Sequence, residues 1–175
     1  MRKTGITFFC CCILLLTIMI FGCDIPKSEY LRIHIRANSN EYCDQKIKYE
    51  IRDLVIQSLT PQIKNCTSKS AAINILNNNK SAIKALIDGF LAKNGFNYSC
   101  NISIREEKFP TRVYEDVTLE AGYYDALIIE LGSASGDNWW CVVYPPLCFI
   151  GNDDVEYRSI IADWIKSLGS NVNAQ

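Results

Sequence analysis

The chain has 175 residues, a length that fits one domain with a targeting segment. Hydrophobic residues make up 49% of the chain, which is enough to form a buried core. Its 18 basic and 19 acidic residues nearly cancel and no long basic run is present, so the composition excludes a general electrostatic affinity for nucleic acid.

The N-terminal segment, residues 1–23, predicts a signal peptide or a membrane anchor. Arg2 and Lys3 precede an apolar stretch over residues 6–21. A positive flank of this kind stays in the cytoplasm while the rest of the chain is exported. Cys23 follows the small residue Gly22, as the lipidated cysteine of a bacterial lipoprotein follows a small residue, and is a candidate lipidation site. An uncleaved signal anchor is the alternative.

The exported part begins with a predicted strand and a predicted helix. Residues 30–36 alternate strictly, with aliphatic side chains at the odd positions and basic side chains at most of the even ones. This pattern predicts a half-buried strand with a cationic outer stripe. Apolar residues at helical spacing then predict a helix over residues 41–59, ended or kinked by Pro61.

Two further helices are predicted. Residues 68–93 carry apolar side chains at helical spacing, and the three asparagines at 77–79 predict a break because their side chains compete with the helix backbone. Residues 153–168 form a strongly patterned helix whose apolar face is expected to pack on a sheet. Residues 169–175 follow as a C-terminal tail.

The residues between these helices predict β structure, because apolar side chains recur at every second position. The predicted strands cover residues 98–104, 113–119, 123–131 and 139–144, and the third of them is expected to be central. Residues 132–137, rich in glycine and serine, predict a flexible connection. Together the elements predict a single α+β domain over residues 24–168, with an antiparallel sheet of about four to five strands flanked by helices.

Catalytic and metal-binding patterns are weak. His34 is the single histidine, so a serine or cysteine nucleophile that needs histidine would have to use it. Arg32 and Arg36 flank it on the same face and disfavour its protonation, which favours a plain surface histidine. One histidine and scattered cysteines predict no metal site, and we expect no cofactor.

One segment, residues 138–149, is dense in aromatic residues, proline and cysteine. The adjacent Trp139 and Trp140 must point to opposite faces of a strand. An exposed tryptophan is typical of a protein contact, so one of them is a candidate contact residue. The alternative is that both are buried under the C-terminal helix.

The same segment contains a predicted turn. Tyr144 precedes Pro145 and Pro146, and an aromatic–proline bond favours a cis turn. Cys141 and Cys148 flank this turn and form a candidate disulfide. The exported part has five cysteines, an odd number, so at least one thiol stays unpaired within the chain.

Six blocks of the sequence resemble the stage II sporulation protein R family. They are residues 31–40 (LRIHIRANSN), 44–48 (DQKIK), 52–53 (RD), 109–114 (FPTRVY), 121–127 (AGYYDAL) and 138–149 (NWWCVVYPPLCF). The last block is the most specific of them. The chain departs from the family at Glu115, where a glycine is usual, and at residues 133–135, which replace a more basic and glycine-rich loop.

The resemblance implies a function that composition does not reveal. Members of this family are exported from the forespore into the space between the two membranes of the sporulating cell. There they trigger stage II sporulation protein GA, a membrane-embedded aspartic protease of the mother cell that processes the precursor of sigma factor E. The resemblance therefore implies a secreted or membrane-anchored signalling protein that is not an enzyme and has no small-molecule substrate.

The surface that contacts the protease is predicted from side-chain chemistry, and its residues are Trp139, Trp140, Pro145, Pro146, Arg36 and Asn38. Two other functions are left open. The chain would be an exported hydrolase if His34, Cys141 or Cys148 served as a catalytic group. It would be a structural lipoprotein if Cys23 held it at the membrane.

Overall fold

The computed structural model describes residues 28–114 and 117–148. Within these ranges the chain forms two helices and six strands. In chain order they are β1 (Leu31–Arg36), α1 (Tyr42–Ile63), α2 (Lys69–Lys93), β2 (Cys100–Phe109), β3 (Arg112–Tyr114), β4 (Val117–Leu119), β5 (Gly122–Leu131) and β6 (Asn138–Tyr144). The predicted N-terminal anchor with Cys23, the helix predicted over residues 153–168 and the tail 169–175 lie outside the described residues.

Four strands form one sheet in the order β2-β5-β1-β6, and β5 is central as predicted. The α+β class is confirmed, but the expectation of a purely antiparallel sheet is wrong, because β1 pairs parallel with β5. The helical hairpin of α1 and α2 explains this. It returns the chain to the end of the sheet where β1 finishes, so β2 runs opposite to β1 and its antiparallel partner β5 runs alongside β1.

The strand predicted over residues 113–119 is two strands. Strands β3 and β4 pair antiparallel as a separate two-stranded ribbon, with Arg112 opposite Leu119. The apolar residues 113, 117 and 119 all lie at odd positions, before and after the point where the chain reverses direction. Periodicity alone therefore could not distinguish one strand from two.

Both helices extend past their predicted interruptions. Helix α1 continues through Pro61 to Ile63. Pro61 has no backbone N–H, so the last turn of the helix lacks one hydrogen bond. Helix α2 begins at its N-cap Ser68, whose hydroxyl accepts from the Ala71 N–H, and runs unbroken through the three asparagines. The Asn79 side chain donates to the carbonyl of its own helix one turn earlier, so it does not compete for the helical N–H groups.

The helices cover one face of the sheet and build the main core. That core is almost entirely aliphatic, because the odd residues of β1 and β5 meet the buried faces of α1 and α2. Its fully buried members include Ile33, Ile35, Ile51, Leu76, Ile87, Leu127 and Ile129. Among the described residues, neither helix combines the length and the apolar character that a membrane span requires.

The second face of the sheet is covered as well, and the predicted cationic outer stripe is wrong. Arg32 is 0% exposed and His34 is 4% exposed. A second, smaller core built around Phe109 and Tyr124 lies on this face, with Trp140 packed against it. Alternation predicted correctly which side chains share a face, but the cover is formed by residues far away in the sequence.

Candidate functional site

Arg32 is the most unusual residue of the second face. Its guanidinium carbon lies 4.2 Å from the ring centroid of Phe109, 5.0 Å from that of Tyr124 and 5.6 Å from that of Tyr114. The Nη2 atom donates to the Tyr114 hydroxyl over 2.5 Å, whereas Nε and Nη1 have no acceptor among the described residues. Burial lowers the pKa of Arg32 because the charged form loses its hydration. We call Arg32 and these three rings the arginine cage.

A second guanidinium stands beside the cage. The guanidinium carbon of Arg112 lies 4.2 Å from the ring centroid of Trp140, and its charge contributes to the lowered pKa of Arg32. Among the described residues, Arg112 donates only to the neighbouring carbonyl of Thr111. Within residues 28–114 and 117–148, neither Arg32 nor Arg112 has a carboxylate partner.

His34 lies next to the cage and has a carboxylate partner. Its Nδ1 is 2.8 Å from Oε1 of Glu107, and its ring stacks on Trp140 with centroids 5.3 Å apart. Burial lowers the pKa of His34, against the opposing effects of Asn138 and Glu107. The expectation of a surface histidine between two arginines is therefore wrong, because Glu107 reaches His34 from another strand.

Glu107 connects His34 to a network of ion pairs. Its carboxylate also accepts from Arg36 and lies 3.3 Å from Nη2 of Arg105. Arg36 in turn is 2.7 Å from Glu130. The register places Glu107 opposite Tyr124 on β5, so this carboxylate reaches His34 from a strand that is not a direct neighbour of β1.

Asn38, predicted as a partner contact, is occupied inside the domain. Its Nδ2 donates to Asp44 over 2.8 Å, and its Oδ1 accepts from the backbone N–H of Ser133 over 2.9 Å. Asp44 also accepts from the hydroxyls of Ser39 and Tyr98. Burial raises the pKa of Asp44, but these hydrogen bonds outweigh it and hold that pKa below its usual value.

The same interactions fix the connection over residues 132–137, which was predicted to be flexible. The N–H of Ser135 donates to the Asn38 carbonyl, and the N–H of Gly136 donates to the Ala37 carbonyl over 2.9 Å. A Cβ on Gly136 would lie 2.2 Å from the Ser39 carbonyl oxygen, so only glycine fits. The segment crosses the end of β1, because β1 lies between β5 and β6 in the sheet.

The residues predicted to contact the protease do not form one surface. Trp139 lies on the helix side near Arg52, whereas Trp140 lies on the second face with His34. This confirms that the two tryptophans point to opposite faces. Pro145 and Pro146 are buried.

The turn after β6 has the predicted ingredients. The Tyr144–Pro145 bond is cis. Cys141 and Cys148 form a disulfide across the turn, with Cα atoms 6.4 Å apart, which is within the span of this bond. The N–H of Val142 donates to the sulfur of Cys148, so the turn also covers part of the free edge of β6.

Conventional catalytic arrangements are missing from the described part of the chain. Cys141 and Cys148 are bonded to each other, and burial raises the pKa of Cys100 to about 12, which keeps it a thiol. No group of three histidine, cysteine, aspartate or glutamate side chains in these ranges is placed to hold a metal ion. The arrangement instead holds buried positive charge against aromatic rings.

Sequence reasoning missed the arginine cage, although a signal was present. Of the cage, Arg32, Phe109 and Tyr124 come from three separate blocks that carry the family resemblance, and the neighbouring Trp140 comes from a fourth. No local pattern links these blocks. Only the fold brings them to one face of the sheet, where Arg112 and Tyr114 of β3 join them.

The fold and this site define the class: a two-layer α+β domain whose second sheet face is organised around a buried arginine. A family model described as stage II sporulation protein R matches residues 27–154. The chain belongs to the stage II sporulation protein R family.

A named relative agrees with this assignment. Stage II sporulation protein R of Bacillus subtilis (strain 168) is 38% identical over 126 residues. The match covers 72% of this chain and 56% of the relative, so the chain spans little more than half of the relative's length. The comparison with solved structures found no match.

Proposed function

We propose that this chain is exported from the forespore and activates stage II sporulation protein GA, the protease that processes the precursor of sigma factor E. The observation that carries the proposal is the family match, which spans the whole described domain. The basic and apolar N-terminal segment supports export. The chain would then act in the space between the two membranes, either secreted or anchored.

We further propose that activation works by binding. A domain that binds the active arrangement of the protease better than the inactive one shifts the population toward the active form. Three observations favour binding over an exported hydrolase. The single histidine is buried against Trp140, the two cysteines considered as nucleophiles are joined to each other, and the described residues hold no metal-binding group.

The proposal is tested by deletion and complementation in a sporulating host. The gene for the host's own family member is deleted, and conversion of the sigma factor E precursor is followed by immunoblot. We expect conversion to stop, to return with this chain, and to stay absent with a variant that lacks residues 1–23. Normal conversion without any family member would contradict the proposal, as would hydrolysis of a wall or protein substrate by the purified chain.

The two tryptophans are tested in the same assay. Trp139→Ala and Trp140→Ala are made separately, because their side chains lie on different faces of the sheet. A variant that folds but converts less precursor identifies the face that contacts the partner. If both variants fold and convert the precursor at the normal rate, the predicted aromatic contact surface is wrong.

A further inference from the structure

We propose that Arg32 and Arg112 form a carboxylate-binding site for an acidic segment of a protein partner. The site lies between β1 and the ribbon of β3 and β4, on the second face of the sheet. It borders the predicted contact surface at Trp140, but its two arginines are not among the residues of that surface, and its direct test does not use the protease. Failure of this inference and failure of the proposed function can therefore be told apart.

Arg32 has unmet hydrogen-bonding capacity within the described part of the chain. A guanidinium carries five N–H groups, and the three on Nε and Nη1 have no acceptor among the described residues. A buried charge without a partner is expensive, because its hydration is lost and nothing of opposite charge replaces it. The rings of Phe109, Tyr114 and Tyr124 offset part of this cost through cation–π contacts, but they accept no hydrogen bond in the guanidinium plane.

Arg112 adds a second positive charge, two residues along β3 from the Tyr114 that contacts Arg32. Its charge helps to lower the pKa of Arg32 because the two cations repel each other, and a carboxylate between them would remove that repulsion. The same face shows how the domain treats cations that it pairs internally. Arg36 and Arg105 both have Glu107 and Glu130 within reach. Arg32 and Arg112 are left without such a partner in the described residues.

The surroundings of the cage favour a carboxylate on a protein over phosphate or a lipid surface. Carboxylate and guanidinium are both planar and pair through two parallel hydrogen bonds. An aromatic enclosure can take up one negative charge far more readily than the nearly double charge of phosphate. A lipid surface needs cations that project into solvent, whereas Arg32 is fully buried.

Because Arg32 is fully buried, a carboxylate can reach it only after part of the cage moves. The Tyr114 hydroxyl accepts the hydrogen bond from Nη2 of Arg32 and is the neutral group that an incoming carboxylate would displace. Tyr114 and Arg112 lie on the same three-residue strand, and among the described strands it pairs only with another three-residue strand. An isolated ribbon of this length has little stability of its own, so it can shift. Such a shift would open the cage and at the same time bring Arg112 to the anion.

Binding is measured with the full-length chain in a neutral detergent. The probe is a fluorescent decapeptide of alternating glutamate and alanine, and the same peptide with glutamine in place of glutamate is the reference. We expect the acidic peptide to bind at least about tenfold more tightly than the glutamine peptide, because hydrogen bonds between charged groups are stronger than those to a neutral amide. Stronger binding of inorganic phosphate or of phosphatidylglycerol vesicles than of the acidic peptide would overturn the inference.

The variants separate binding from folding. Arg32→Met keeps the length of the side chain and removes its charge, and Arg105→Met removes the same charge from an exposed position on the same face. We expect Arg32→Met to lose the roughly tenfold preference for the acidic peptide and to melt no lower than the parent chain, because an unpaired buried charge is removed. Arg105→Met should keep the preference.

Two more variants keep the inference falsifiable if Arg32→Met fails to fold. Arg112→Gln should weaken binding of the acidic peptide, and Tyr114→Phe should strengthen it by removing the hydroxyl that competes for Nη2. Arg32 has a purely structural role if Arg112→Gln and Tyr114→Phe leave binding unchanged. Equal binding of the acidic peptide by the parent chain and by Arg32→Met would also mean that Arg32 has a purely structural role.

Discussion

The two faces of the sheet are both buried, but they are built from different chemistry. The helix-covered face is aliphatic, with Ile33 and Ile129 completely enclosed. The second face encloses Arg32 and His34 among aromatic rings and ties the histidine to Glu107. Both faces share the same four strands, so the difference lies in the side chains and in what covers them.

This difference separates stability from function. Burial of an isoleucine or leucine side chain contributes about 1.5–3 kcal/mol, and the helix face has many such residues. Burial of charge on the second face offsets part of that gain. A domain that keeps charged groups enclosed at a cost is typical of a protein that uses them for recognition. We therefore expect core substitutions on the first face to act on folding and substitutions on the second to act on electrostatics.

The largest effect is expected on the helix face. Ile129 is fully buried and lies between Ile35 of β1 and Ile102 of β2 in the register. Ile129→Ala should lower the free energy of unfolding by about 2–5 kcal/mol, because it leaves a cavity in the centre of the core. Urea denaturation of the oxidised chain measures this.

The matched control is Val113→Ala in β3, where the side chain is 66% exposed. It removes two methyl groups from the surface and should change the free energy of unfolding by no more than about 0.5 kcal/mol. A loss for Val113→Ala as large as that for Ile129→Ala would mean that the outer side of the β3–β4 ribbon is buried in solution. That outcome would remove the ribbon movement on which access to Arg32 depends.

Much of the first face could be predicted from the sequence. Helical spacing indicated α1 and α2, and alternation assigned the odd residues of β1 to the interior. The predicted break at 77–79 was wrong because the buried face of α2, including Leu76 and Ile83, stabilises the helix more than three asparagines weaken it. Local patterns were sufficient here because the cover of this face comes from long regular elements.

The second face could not be predicted in the same way. Arg32 and His34 alternate with aliphatic residues as solvent-facing side chains do, and nothing within β1 shows that Phe109 and Glu107 lie over them. The parallel pairing of β1 with β5 was missed for a related reason. Both features depend on contacts between residues more than 70 positions apart, which no periodicity records.

A smaller loss is expected from breaking the network on the second face. Glu107→Gln removes the charge that pairs with Arg36 and weakens the acceptor of the His34 hydrogen bond, and it should cost about 1–3 kcal/mol at neutral pH because His34 stays buried. The neighbouring Glu106→Gln makes the same chemical change at an exposed position and should be close to neutral. Equal effects of the two variants would mean that Glu107 is hydrated and that the network contributes nothing. Urea denaturation at pH 7 distinguishes the two.

The smallest effect is a pH dependence that belongs to the second face alone. The pKa of His34 is lowered in the folded chain, whereas in the unfolded chain it returns to about 6.5. Between the folded and unfolded values the unfolded chain binds a proton that the folded chain does not, so stability rises with pH in that window. The contribution is fully present above about pH 6.5 and is lost as the pH falls below it.

His34→Gln provides the control, because the chain has no other histidine. The variant should lose the slope of the free energy of unfolding below about pH 6.5, and the slope in the parent chain should not exceed about 1.4 kcal/mol per pH unit for one proton. Asp44 acts in a separate window, since its lowered pKa means that its contribution is lost only in stronger acid. If the slope survives in His34→Gln, carboxylates cause it and the histidine is hydrated in solution. The second face would then be open to water, and Arg32, which lies beside the histidine, would not be enclosed either.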